Sequence, residues 1–458
     1  MRLRERIRLA AGAFFGNKFN QAFFKLIGGG LTSYDDNQKT YIDKGYNLNP
    51  FVYSVVNQIA TKAGSIPFYI KEIEDAKSKS KIDNLIKASN HDLSPQQYLK
   101  KLTLENKAYA NDYKDLPLER PNPFQTWFEF ISLFETFIKC TGNIYIYLLS
   151  PEEGVNAGKP IAWYLLPSHL MQIVLKTDVN MIGIESPIDH YILTEGNQYT
   201  KFDFKDVVHI KYSNPNYDQQ GSHLYGQSPL RANLRNIQSS NESIDLNIKT
   251  LQSGGAFGLI HSKGQNALTD TQAKALKERL KEMDNDPSRL AKLTGVSAEI
   301  GFTRLSLTSD ELKPFDYLSF DLKQVCNVLG WDDKLMNNDE GAKYDNYTLA
   351  AKRVLLNSLM PDLKLLEEAI NNEILPRYKG YDKSCWMFDI SDLPEMQQDM
   401  VQLVSWAKDM VDRGVITRNE ARLLLKFIIS EDSNMDEFTV SSDIMTLEQS
   451  LEDFPTVE

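Results

Sequence analysis

The segment Gly154-Val-Asn-Ala-Gly158-Lys159 sets two glycines and a lysine in nearly the arrangement of a phosphate-binding loop, in which backbone amides cradle phosphates and the lysine reaches their terminal oxygens. It is one residue short of that spacing, and Pro160 stands where a magnesium-binding Ser or Thr is required, so nucleotide chemistry is not expected. The patterns GxGxxG, GxSxG and HExxH are absent. His91, His169, His190, His209, His223 and His261 stand apart from one another and from carboxylates at ligand spacing; His209, inside Val-Val-His-Ile-Lys, reads as a hydrogen-bonded sheet residue rather than a base. The carboxylate pair Asp332-Asp333 falls in a polar loop with no convergent third ligand. Cys140, Cys326 and Cys385 are odd in number, widely separated and free of any CxxC pattern, so they read as reduced packing thiols. No catalytic residue, metal or cofactor is therefore expected.

The elements around these residues belong to a globular chain too long for one core. At 458 residues it exceeds the roughly 250 to 300 that a single hydrophobic core organises. Hydrophobic residues make up 42% and charged residues 25%, which permits a substantial interior. The net charge of -11 opposes a protein built to grip DNA by phosphate neutralisation. Charge is unevenly placed: Arg2, Arg4, Arg6 and Arg8 open a basic amphipathic arm that Gly16, Asn17 and Lys18 interrupt, so a secretion signal is not expected. Residues 431–458 carry acidic side chains and no Lys or Arg. No run approaches the ~18 apolar residues of a membrane span.

Along the chain, 49–63 reads as an apolar helix ended by Gly64 and followed by a short strand. Residues 71–120 are dense in charges of both signs and read as a solvated helical excursion. A turn at Arg120-Pro-Asn-Pro123 precedes a helix over 125–139, whose aromatic residues suit a buried face. Short runs at 143–149, 161–166, 171–175, 190–193 and 206–211 predict a mainly antiparallel sheet. Pro229 opens a long helix to about 251 that lacks a wide apolar face, as expected of a helix held between neighbours. Residues 253–307 read as strand, helix, strand, and the capping box Thr308-x-x-Glu311 starts a second helix to about Gly330. A polar loop from Asp332 to Asn346, a helical run over 347–378 kinked near Pro361, a strand at 385–390, and helices at 395–412 and from Thr417 complete an α+β chain.

Several segments in this order resemble the portal proteins of tailed bacteriophages, in the compact class found in long-tailed phages. They are Asn49-Pro-Phe-Val-Tyr-Ser-Val-Val-Asn-Gln-Ile-Ala60, Arg120-Pro-Asn-Pro-Phe-Gln-Thr-Trp127, Gly142-Asn-Ile-Tyr-Ile-Tyr147, Asp206-Val-Val-His-Ile-Lys211, Gly226-Gln-Ser-Pro-Leu230, Gln324-Val-Cys-Asn-Val-Leu-Gly-Trp331 and Asn419-Glu-Ala-Arg422. Each is weak alone; seven in family order around a helix, insert, helix core make a specific signal. The resemblance implies a portal fold: an α/β wing at 49–227, with the charged insertion 71–120, continued by a return helix and strand at 348–390. It implies stem helices at 228–252 and 308–330 flanking a small α/β clip at 253–307, a tunnel loop at 331–347 and a helical crown at 391–430. A basic arm at 1–48 and the acidic tail at 431–458 flank these.

The same resemblance implies a non-enzymatic ring, twelvefold in the virion, at one capsid vertex. It serves as a conduit for packaging and ejection of double-stranded DNA, which passes with weak, non-specific contact. The expected partners are copies of the chain, the terminase large subunit, a head-completion or neck protein and the major capsid protein. The location is the virion, after assembly in the host cytoplasm, with no membrane contact. Channel residues are expected at Asp332, Asp333, Lys334, Asp339, Glu340, Lys343 and Asp345, and stem cations at Arg231, Arg235, Lys249, Lys313 and Lys323. Partner-binding residues of the clip are expected at Lys274, Lys277, Glu278, Lys281 and Glu282. The alternatives are another virion structural protein, which typically lacks an insert between two long helices, and a packaging ATPase or nuclease, which needs a phosphate loop or a carboxylate cluster.

Overall fold

The computed structural model describes residues 37–438 apart from 90–92, 155–156, 177–185, 217–220, 253–257, 263–270, 272–273, 275–299, 305–313, 337–343, 391–392, 426 and 431. The chain divides into two compact units, Met1–Tyr53 with Leu230–Val325, and Ser54–Pro229 with Cys326–Glu458. Residues 1–36 of the basic arm and 439–458 of the acidic tail lie outside the described residues.

Asn49 opens α1 (Pro50–Gly64) by accepting the amides of Phe51 (3.0 Å) and Val52 (3.2 Å) on its side-chain oxygen, two of the donors a helix start leaves free. Next comes β1 (Phe68–Ile73), and then the charged insertion, which departs from the expected solvated excursion. It forms α2 (Ala76–Ser89), α3 (Pro95–Ala108) and β2 (Tyr109–Lys114), and β2 pairs antiparallel with β1. Ile82, Ala108 and Tyr109 are buried with Cys385 in a small core of their own. Its apolar residues are few, but their 3.6-residue spacing gathers them into one stripe while the charges take the other faces.

A capping box between Thr126 and Glu129 starts α4 (Trp127–Thr141), and Gly142, at φ 72°, ends it. Buried Trp127, Phe130, Phe134 and Ile138 bear out the expected buried face, and Phe128 is exposed. β3 (Asn143–Leu149) and β4 (Ala162–Leu166) follow, then β5 (Met171–Leu175), β6 (Ile188–Glu195), β7 (Gln198–Asp203) and β8 (Val207–Lys211). They form two antiparallel sheets, ordered β4-β3-β8 and β5-β6-β7, with Tyr145, Leu166, Met171, Ile188, Tyr191 and Val207 packed together. β7 was not expected: Gln-Tyr-Thr-Lys-Phe-Asp is largely exposed and lacks an apolar alternation.

In the other unit, α5 (Leu230–Gln252) is less bare than expected. Leu230, Asn233, Leu234, Ile237 and Ser240 form a buried stripe at 3–4 residue spacing; Asn and Ser hide it from a reading of apolar residues. Asn241 Nδ2 donates to Lys44 O (2.9 Å) and its Oδ1 accepts from Asn49 Nδ2 (2.9 Å), tying α5 to the π-helical turn Tyr41–Tyr46. The last residues of the basic arm are thus packed, with Tyr41 and Ile42 buried. β9 (Gly258–Ser262) and β10 (Ile300–Arg304) pair antiparallel, as the strand, helix, strand reading requires of its ends. The intervening helix is described at Thr271 and Lys274 alone, and the capping box expected at Thr308 lies outside the described residues.

Then α6 (Pro314–Leu329) ends at Gly330, and α7 (Tyr344–Val354) begins three residues before the expected Tyr347. A π-helical turn, Leu355–Leu359, precedes α8 (Met360–Ala369). Pro361 has no amide to offer the carbonyl four residues back, and the turn widens so that the Met360 amide reaches Leu355 O. β11 (Ser384–Phe388) pairs with β1, giving the order β11-β1-β2. The last helices are α9 (Gln397–Asp412) and α10 (Arg418–Leu424), the latter opened by the expected capping box of Thr417 and Glu420. Leu403, Ala407 and Leu424 pack with Tyr98, Leu99 and Leu102, so α3 of the insertion braces the final helices. Among the described residues no helix is long and apolar enough to cross a membrane.

Candidate functional site

The loop after α6 starts from a rigid anchor. Gly330 takes φ 74°, and a Cβ there would lie 2.8 Å from Ser358 Oγ, so the position requires glycine on both counts. The Trp331 amide donates back to Cys326 O (2.8 Å), and a 3₁₀ turn over Asp333–Leu335 follows. Asp332 caps that turn by accepting the Lys334 amide (3.1 Å). Cys326, Leu329, Trp331, Leu335 and Met336 are buried, so the polar stretch departs from a fixed apolar footing.

Beneath the anchor lies a charged cluster that no motif announced. On α4, Glu135 and Lys139 share a buried face; Lys139 Nζ is 2.7 Å from Asp362 Oδ2 of α8 and donates to Ser358 Oγ (3.1 Å). Ser358 Oγ donates in turn to Leu329 O (3.1 Å), the last residue of α6, and Tyr212 Oη donates to Asp362 Oδ1 (2.7 Å). The available signal was two charged residues at i, i+4 inside an otherwise aromatic helix.

Burial, with the Asp362 carboxylate adding to it and the Lys139 ammonium opposing, holds the Glu135 carboxyl well above its usual 4.5. Neither Glu135 oxygen has a hydrogen-bond partner among the described residues, which suits a neutral acid and penalises an anion. The unfolded chain releases this proton near pH 4.5, whereas the folded chain keeps it. Each pH unit above 4.5 therefore costs the native state about 1.4 kcal/mol until the folded group titrates. Glu135→Gln is expected to match the parent below pH 4.5 and to exceed it by a margin that widens with rising pH. Urea midpoints at pH 4.5 and pH 8 measure this; an unchanged difference between the two would remove the argument.

At the other end of α4, Asn143 joins the helix terminus to the segment before α5. Its Oδ1 accepts from the Gly226 amide (2.6 Å) and its Nδ2 donates to Gly226 O (3.1 Å). A Cβ on Gly226 would fall 1.9 Å from Gly142 O, so the two backbones touch. Because Asn143 Oδ1 can only accept, the nearby His209 Nε2 (3.1 Å) carries the proton. Burial, with Lys211 adding to it, pushes the His209 pKa down to about 3, and its ring stacks on Tyr145. This is the hydrogen-bonded sheet residue expected. A cleft of about 670 Å³ beside it is lined by Lys205, Asp206, Lys211, Glu373 and Arg377, among others, which bring charges of both signs together.

The sequence profile for "Phage portal protein" matches residues 104–425, from the last turn of α3 through α10. The chain belongs to the phage portal protein family. The portal protein of Escherichia phage T5 is 22% identical over 346 residues, 73% of this chain and 77% of that one. An uncharacterized protein of Rickettsia bellii is 24% identical over 386 residues, 82% and 86% of the two chains. A chain in the neck of an empty gene transfer agent particle superposes with a TM-score of 0.56 at 19% identity, over 88% of this chain and 97% of that one. A chain in the neck of a native particle of this kind, computed with C12 symmetry, gives 0.56 at 18% identity, over 87% and 96%. The fold is thus that of neck-particle chains, and the α+β portal architecture read from the sequence holds.

In this portal protein the expected functional residues are only partly gathered. Asp332 and Lys334 meet at the start of the loop through the cap described above, with Lys334 exposed and Asp333 half-buried. Asp339, Glu340 and Lys343 lie outside the described residues, and Asp345 falls on the first turn of α7 rather than in a loop. Arg231 and Arg235 are exposed one turn apart on α5, and Lys323 is exposed on α6. Lys313 and the Lys249 side chain lie outside the described residues. Of the clip residues Lys274 is described and exposed, whereas Lys277, Glu278, Lys281 and Glu282 lie outside.

Proposed function

We propose that this portal protein acts as a closed ring of twelve copies at one capsid vertex, through which double-stranded DNA is packaged and later ejected. The observation that carries the reading is the family match across residues 104–425, and the twelvefold number is taken from the C12 neck of the gene transfer agent particle. The role is structural, with no catalysis by this chain. In this reading 228–252 and 308–330 are the stem, 253–307 is the clip and 331–347 is the tunnel loop. The terminase large subunit and later a head-completion or neck protein dock on the clip, and the wing meets the major capsid protein.

The segment 331–347, the expected tunnel loop with the first turn of α7, carries Asp332, Asp333, Asp339, Glu340 and Asp345 against Lys334 and Lys343, and so is net negative. A duplex that must slide cannot be held by fixed phosphate contacts, since each would have to be broken at every step. An acidic collar centres it by repulsion. The assembly itself is tested by light scattering and electron microscopy of the purified chain at micromolar concentration. Rings with a central hole are expected; a sharp monomer peak near 52 kDa across salt conditions would overturn the proposal.

A further inference from the structure

The buried cluster on α4 and α8 holds an amine, a carboxyl group and a second, unpaired carboxyl group in one dry interior. Lys139 Nζ stands 2.7 Å from Asp362 Oδ2, with side-chain exposures of 7% and 6%. The approach is not an aligned hydrogen bond, since Oδ2 accepts none among the described residues. Oδ2 is bonded to Cγ, the carbon an amine attacks, so the two groups are held in reactive proximity. Ser358 Oγ accepts from Lys139 Nζ (3.1 Å) and steadies the nitrogen, and Tyr212 Oη donates to the other carboxyl oxygen, Asp362 Oδ1 (2.7 Å).

A structural ion pair needs no third titratable group, yet Glu135 lies one turn before Lys139 on the same buried face. Asp362 and Lys139 both act on its charge, and neither of its oxygens has a hydrogen-bond partner among the described residues. Burial keeps this carboxyl neutral, and a neutral carboxyl can take a proton on one oxygen while giving one from the other. Burial, with Asp362 adding to it, likewise keeps the Tyr212 phenol protonated, so it remains a donor to Oδ1.

We propose that Lys139 and Asp362 condense into an isopeptide bond that joins α4 to α8 covalently. A dry interior penalises both charges of the pair, which lowers the relative cost of the neutral amine and acid. One ammonium proton passes to the Asp362 carboxyl through Glu135. Nζ then attacks Cγ, and Tyr212 stabilises the negative charge that develops on Oδ1. The Nζ–Cγ bond forms, the Cγ–Oδ2 bond breaks, and Oδ2 leaves as water with two of the three ammonium protons. The third stays on the amide nitrogen, no electron is transferred and no co-reactant is needed. The reaction happens once on the chain itself and turns over no substrate. Freshly folded protein holds the ion pair, and the amide accumulates with time. The new bond closes a long loop of chain and so restricts the unfolded state as a disulfide does. It depends on neither a ring nor a partner.

The test is the intact mass of the full chain, measured in denaturant directly after folding and at intervals afterwards. A species lighter by one water is expected, and its tryptic digest should hold a branched peptide joining Lys139 to Asp362, with no cleavage after Lys139. Glu135→Gln is expected to form this species roughly a hundredfold more slowly or less, the usual contribution of a positioned proton relay. Lys139→Arg is expected to keep the full mass throughout. Tryptophan fluorescence during urea unfolding establishes that each protein compared is folded. Folded parent protein that keeps its full mass, or that loses water at positions other than these two, overturns the proposal. Formation at the parent rate in folded Glu135→Gln also overturns it, because the unpaired acid then takes no part.

Discussion

Lys139→Met is expected to destabilise the protein by about 3–5 kcal/mol, the cost of stripping one partner from a buried ion pair. Lys139 and Asp362 are both buried, 2.7 Å apart, with Lys139 also donating to Ser358 and Asp362 Oδ1 accepting from Tyr212. Removing the ammonium leaves the Asp362 carboxylate in the interior with Tyr212 as a donor and no cation. It also removes the charge that opposes the rise in the Glu135 pKa. Tryptophan fluorescence during urea unfolding reads the loss directly, since Trp127 lies on the same helix and Trp163 and Trp386 pack around it. Protein concentration is held fixed across variants, because assembly contributes to apparent stability.

The companion variant Lys139→Met with Asp362→Asn removes both charges and keeps an acceptor for Tyr212. It is expected to recover most of the loss, since a neutral replacement of a buried pair is often tolerated. A cost below about 1 kcal/mol for Lys139→Met alone would mean that the pair behaves as a solvent-exposed one. Because Ser358 links this pair to Leu329 O at the end of α6, the single variant is also expected to loosen the footing of the loop.

The second large effect belongs to the loop itself. Asp339→Lys with Glu340→Lys changes the charge of each subunit by four, and the proposed ring multiplies that change around one duplex. DNA affinity at low salt is expected to rise by roughly a hundredfold or more, as several new phosphate contacts would produce, with a steeper dependence on salt. Packaging should slow, and the defect should ease as salt screens contacts beyond about 10 Å at 0.1 M. Asp332 is left unchanged because its carboxylate caps the turn that starts the loop, so altering it would mix folding with channel charge. Substituted rings that bind DNA no better than the parent and package at the parent rate would place these residues away from the duplex path.

Much of the fold was legible because its signals are local. The five expected strands lie within about two residues of their observed bounds, the capping box at Thr417 opens α10 as read, and Gly330 ends α6. Such signals depend on residues within one or two turns of each other. The absence of a complete phosphate loop is also a local fact, and the seven family segments together carry the portal resemblance.

The tertiary structure decided what depended on distant partners. Lys139 meets Ser358 across 219 positions, and Asn143 meets Gly226 across 83. A lysine on an aromatic helix does not disclose where its carboxylate will come from. The insertion 71–120 looked solvated because its apolar residues are sparse, yet β1, α9 and α10 supply the surfaces that cover them. Likewise β7 exists because β6 offers an edge to pair with, a cause that its own six residues do not contain. Sequence determined the order and type of most elements, since helix and strand periodicity is written in neighbours. Which polar groups are buried, and against what, was fixed only when elements remote in sequence closed around them, because the cost of burying a charge depends on the partner brought to it.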